Sequence, residues 1–104
     1  MTLPELAQAL KGLGYPVAYS HFLTTQDPPF ICYLVLDSAT FNADNKPIHE
    51  TISVDIELYT KTKSLAIEKQ IKDLLTTNEL PWFFDEIHIE DEGVFKCTFS
   101  ITLT

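Results

Sequence analysis

Thr51–Thr60 reads TISVDIELYT and alternates without a break. Ile52, Val54, Ile56 and Leu58 fall on one side, and Thr51, Ser53, Asp55, Glu57 and Tyr59 on the other. Successive side chains of a strand point to opposite faces, so this is a half-buried strand with one apolar face. A single strand cannot bury that face, and the chain on either side must supply its cover. Downstream, Val94–Thr104 repeats the pattern, with Phe95, Cys97, Phe99, Ile101 and Leu103 on one face. The two strands are expected to be antiparallel neighbours in one sheet.

Upstream, Leu3, Leu6, Leu10 and Leu13 recur at spacings of three and four, which is one face of a short helix. Thr2 suits its N-cap, Pro4 and Glu5 its first turn, and Gly12 and Gly14 its end, one of them in a left-handed cap. Val17–His21 reads as a short first strand and Thr24–Pro29 as a loop stiffened by its two prolines. Phe30–Leu36 is apolar on both faces. Such a strand is either covered on both sides by helices and loops, or it meets another subunit. Ser38–Glu50 is a long connection for a hairpin. It reads as a surface loop, or as a short extension of the ladder with a wide polar tip and Phe41 exposed for assembly.

Beyond the organising strand, Ile67, Ile71, Leu74 and Leu75 mark a helical face within Lys61–Thr77, capped by Thr62 or Ser64. Glu68–Lys72 and Lys69–Asp73 are expected as opposite-charge pairs on its solvent side. Trp82 is expected to plug the core where this helix meets the sheet. Asp85–Asp91 alternates weakly, with Ile87 and Ile89 inward, and Glu92-Gly93 makes a tight turn. The fold class is therefore α+β: a four- to five-stranded, mostly antiparallel sheet with two helices packed on one face. The other face, largely Ser, Thr, Asp and Glu, points to water or a partner. Residues 1–104 are expected to form a single domain.

Composition narrows the function. The chain carries 15 acidic residues, 7 lysines and no arginine, for a net charge of −8. Nucleic-acid binders displace counterions with Lys and Arg, so sequence-specific binding of DNA or RNA is not expected. No apolar run has the length of a membrane span, and Met1–Leu10 lacks a basic start and signal-like hydrophobic region. The expected setting is a cytosol-like compartment, or a larger particle that leaves it. Cys32 and Cys97 lie in apolar strands and read as buried free thiols.

Candidate chemistry is sparse. His88 lies between Glu86 and Glu90 on one strand face, where three adjacent side chains converge poorly on an ion. His21 and His49 have no nucleophile in a recognisable context, Asp55 and Glu57 are explained by alternation, and three glycines build no phosphate-cradling loop. No catalytic, cofactor-binding or metal residue is assigned, and the chain is not expected to be an enzyme.

Several stretches carry a family resemblance. Gly14–Phe22 (GYPVAYSHF), Pro28–Tyr33 (PPFICY), Phe41 with Ala43-Asp44-Asn45, and Ile56–Thr60 (IELYT) resemble small structural proteins of tailed bacteriophages and of prophages of Gram-positive bacteria. The most similar group is the tail-terminator (tail-completion) family of long, non-contractile tails. Likeness runs from about Leu3 to the end, in kind more than in letters for the second helix and last strand. It implies a virion protein, assembled in the host cytoplasm, that forms a hexameric ring on the finished tail tube. Its implied partners are copies of itself, the tail-tube protein and the head–tail connector. Phe30, Tyr33 and Val35 on the two-faced strand, and Phe41, Asp44 and Asn45 on the connection, are the residues expected at such interfaces. A lumen lined by carboxylates would let DNA pass without gripping it. A neck or head-completion adaptor is the alternative close to this reading. A small ligand-binding α+β domain is the alternative from another class, and it would need a deep pocket with perturbed titrating groups.

Overall fold

The computed structural model describes the backbone of residues 1–43 and 46–104, and side chains outside residues 40–49. Two helices and five strands follow in the order α1 (Leu3–Lys11), β1 (Val17–Tyr19), β2 (Phe30–Ala43), β3 (Lys46–Thr60), α2 (Leu65–Thr77), β4 (Phe83–Ile89) and β5 (Val94–Leu103). The strands form one sheet in the order β1-β2-β3-β5-β4, antiparallel except where β1 runs parallel to β2. The fold is α+β, with a mostly antiparallel sheet.

The two alternating stretches are neighbours as expected. Val54 faces Ile101, Ile56 faces Phe99 and Leu58 faces Cys97. Register with β2 adds Ile31 opposite Leu58, Tyr33 opposite Ile56 and Val35 opposite Val54. All these residues belong to one face of the sheet. Together with Leu6 and Leu10 of α1 and Ile71 and Leu75 of α2, they build the buried cluster and its immediate surround. Trp82 is partly buried against the same cluster.

Local chemistry sets the helix ends. Thr2 and Glu5 form a reciprocal capping box: the Thr2 N–H donates to Glu5 Oε1 at 2.8 Å, and the Glu5 N–H donates to Thr2 Oγ1 at 3.3 Å. Gly12 closes α1 in right-handed geometry, while Gly14 takes the positive φ of 97°. Ser64, rather than Thr62, caps α2. The Tyr15 hydroxyl donates to Gln70 Oε1 at 2.7 Å, tying the end of the first helical segment to the second helix.

Four expectations need correction. Ser38–Glu50 is not an open loop: β2 and β3 stay paired as far as Ala43 and Lys46. The two strands are 14 and 15 residues long, so the organising strand begins well before Thr51. Pairing of β3 with β5 begins only at Ile52, which leaves residues 39–43 and 46–51 as a two-stranded arm. The molecule is accordingly 51 Å long against 27 and 22 Å across. In β4, Ile87 and Ile89 lie on the face away from the buried cluster. Phe84, Glu86 and His88 occupy the other side, opposite Phe99, Cys97 and Phe95. The alternation of β4 thus has the opposite phase to the one its isoleucines suggest, because Glu86 is drawn to Lys63 and Cys97 on the helix side. Glu68 is buried and does not pair with Lys72 on the solvent side. Lys69 and Asp73 do pair, at 2.7 Å. Finally, the second face of the sheet is not uniformly polar. At one end it carries Phe30, Tyr59, Ile89 and Val94 beneath the 20–29 segment.

Candidate functional site

The second face divides into two zones. Its centre is polar and self-paired. Lys96 Nζ lies 3.0 Å from Glu57 Oε2, the Tyr59 hydroxyl donates to Glu57 Oε1 at 3.2 Å, and Ser100 Oγ donates to Asp55 Oδ1 at 2.7 Å. Burial and the neighbouring Glu57 carboxylate push the Tyr59 hydroxyl well above its ordinary value. Flanking this centre, the bulge between Val35 and Asp37 leaves Leu36 outward, and Phe83 at the start of β4 is 84% exposed. Leu36 and Phe83 wall a shallow hollow floored by Ser53, Asp55, Ser100 and Thr102.

At the opposite end, the 20–29 segment folds over the sheet and encloses an open groove of about 630 Å³. Phe30 stacks on Tyr59 with ring centroids 4.7 Å apart, and Phe22 meets Phe30 edge-on at 5.4 Å. Aromatic pairs of this geometry hold a rigid floor. The rim is polar, with His21, Gln26, Asp27, Lys61 and Glu92. Cys32 lies below, its thiol pushed up by burial and by Glu57.

A third cluster sits on the helix side. Lys63 Nζ lies 2.8 Å from Glu68 Oε2 and also bonds Glu86 Oε1. The Cys97 thiol is 3.4 Å from Glu86 Oε1 and 3.7 Å from Glu68 Oε2. Burial, then the two carboxylates, pushes this thiol up to about 12, and the bond from Lys63 holds Glu86 below its ordinary value. The donor atoms of Glu68, Glu86 and Cys97 lie within 4.8 Å of one another, a set that suits zinc. Lys63 already supplies the compensating positive charge, so the arrangement is a partly buried ion-pair network in which only Glu68 and Cys97 are enclosed. Sequence reading missed it because its members are scattered. One signal was available: Glu68, Ile71 and Leu75 share a helical face.

The expected interface residues separate. Phe30 lies on the second face, in the groove floor. Tyr33 and Val35 lie on the opposite face, packed against the buried cluster, with Tyr33 edge-on to Tyr19 at 5.2 Å. Phe41 is placed by its backbone on the arm opposite His49, its side chain lying outside the described ones. Asp44 and Asn45 lie outside the described residues. His88 stacks at a tilt on Phe95 with centroids 4.7 Å apart, while Glu86 turns to Lys63 and Cys97. Glu86, His88 and Glu90 therefore do not form one site.

Among the described residues, no helix is long and apolar enough to cross a membrane. No protein-family model matches the chain, and no curated protein is similar to it in sequence.

Proposed function

We propose that the chain is a structural assembly protein of a tailed bacteriophage virion, the tail terminator that caps the finished tail tube and joins it to the head connector. The observation that carries this reading is the β2–β3 arm, which leaves the sheet as a paired ladder. Among the described residues no third strand runs along it, and a two-stranded ribbon is marginal in isolation. Its retention over this length fits a role in contact with another surface. The net charge of −8 and the absence of arginine suit a ring through which DNA passes without adhering. The family resemblance of Gly14–Phe22, Pro28–Tyr33, Phe41 with Ala43-Asp44-Asn45, and Ile56–Thr60 supplies the specific assignment. Addition of the purified chain to polymerising tail-tube protein is expected to shorten the tubes and arrest their growth; unchanged tube lengths contradict capping.

A second reading rests on the groove under residues 20–29. Its aromatic floor and polar rim have the volume and lining of a small-molecule site, although it is open. Thermal shift against nucleotides and divalent metals separates the two. Reproducible stabilisation by a ligand supports the binding domain.

A further inference from the structure

Both lateral margins of the sheet present unpaired backbone. β1 covers β2 only from Ile31 to Tyr33, and the Val35 N–H is taken by the Tyr19 hydroxyl at 3.1 Å. From Leu36 to Ala43 the outer edge of β2 has no strand beside it among the described residues. At the other margin, β4 pairs with β5 on one side only, and its seven residues are exposed along most of their length. Exposed edges of this kind recruit another strand unless they are blocked. Neither segment contains a proline, and Ile87, about half exposed, extends the apolar character of Phe83 along β4.

Topology makes these two edges complementary. β2 is antiparallel to β3, β3 to β5, and β5 to β4. Hence β2 and β4 run in opposite directions at opposite margins of one sheet. A second copy placed in line, in the same orientation, brings its β2 edge to β4 as an antiparallel pair, with no reversal of either chain. Contact between two different patches is heterologous, so each copy keeps one edge free for the next, and the series closes as a ring or runs on as a filament. Two copies of β4 could also pair with each other, but that contact uses up both edges and stops at a dimer.

The offset is also defined. The middle of β4, at Glu86, lies level with Cys97, Leu58 and Ile31, whereas Ala39 lies level with Thr51. The arm is therefore displaced along β3 from Leu58 to Thr51, roughly 23 Å at about 3.3 Å per residue. Successive copies would be staggered along the strands, as in closed barrels where strands tilt against the axis.

We infer that the outer edge of β4 in one copy receives the β2 edge of the hairpin arm of the next, so that neighbouring sheets join into one continuous antiparallel sheet. This rests on the ring reading above and names the contact that would build the ring. Ala39, Asp85 and Ile87 project from the same face of their strands, so cysteines at these positions fall within disulfide reach when the edges pair.

The test is oxidative cross-linking of full-length A39C/D85C and A39C/I87C at increasing concentration, read on non-reducing gels, with each single variant as control. At least one double variant is expected to give a ladder extending beyond dimer, which no single variant gives. Dimer from D85C or I87C alone, with no ladder, would overturn the proposal in favour of a symmetric β4 contact. Monomer in both double variants up to the solubility limit would overturn it outright. These are surface changes and do not rely on the core refolding. Replacing residues 40–50 by an Asn-Gly turn, which leaves the paired Ala39 and Thr51 flanking it, gives a second readout: loss of higher oligomers in sizing, with a melting transition retained. A ladder in a protein that leaves tail growth untouched would sink the terminator reading and keep this contact. Tail capping without any ladder would do the reverse.

Discussion

The Lys63 ammonium lies 2.8 Å from a Glu68 carboxylate whose side chain is only 3% exposed. The lysine itself precedes α2 and remains 40% exposed, so a surface cation neutralises a buried anion. Removing one partner of such a pair strands the other. Lys63→Met is expected to destabilise the fold by about 2 kcal/mol, less than the loss for a fully enclosed pair because water reaches the lysine. Urea denaturation measures it. Glu68→Leu, which removes the buried charge, is expected to lose less than Lys63→Met.

The same network fixes the behaviour of Cys97. Its thiol is 1% exposed and pushed up to about 12, so native protein presents almost no thiolate at this position at neutral pH. Cys32 is 3% exposed and also pushed upward. Iodoacetamide at pH 8 is expected to leave both thiols unmodified in native protein and to modify both in denaturant. Mass spectrometry of the intact chain counts the adducts, and rapid native labelling of Cys97 would contradict the burial described.

Stability should depend on pH with a definite sign. The Cys97 value is raised on folding, so its contribution is fully present below the ordinary value of 9.0 and declines as pH rises toward about 12. Glu86 is lowered by its bond from Lys63, so its contribution is present above the ordinary value of 4.5 and disappears as pH falls through the folded value. Melting temperature is expected to fall on both sides of this window, and in Cys97→Ala the alkaline decline should become shallower.

Core and edge should respond differently. Phe99 is fully buried opposite Ile56, and Phe99→Ala is expected to destabilise by about 3–5 kcal/mol in chemical denaturation. Ile87, 49% exposed on β4, is expected to change stability by less than about 0.5 kcal/mol when replaced by Ser. A large loss for Ile87→Ser would place that side chain inside the core, as its alternation with Ile89 first suggested.

Legibility of the fold followed the strength of the patterns. Ile52–Leu58 and Phe95–Leu103 are alternating over many residues, and each reached its expected face and partner. Leu6 and Leu10, Ile71 and Leu75 were equally plain as helical faces. β4 was not, because Phe83 and Phe84 are consecutive and Glu86 is drawn inward by Lys63, so apolarity did not report direction. The arm was hidden by Asp44, Asn45 and Pro47, which read as loop residues, although Pro47 is paired opposite Asn42 within the ladder. The groove was invisible in sequence because it depends on Phe22 returning over Phe30. Composition alone does not specify that return.

Electron microscopy of particles from a phage lacking this gene tests the central proposal most directly. Abnormally long tails, unattached to DNA-filled heads, are the expected result. Tails of normal length beside leaking or unattached heads would contradict termination and favour a neck adaptor. Normal virions would contradict both.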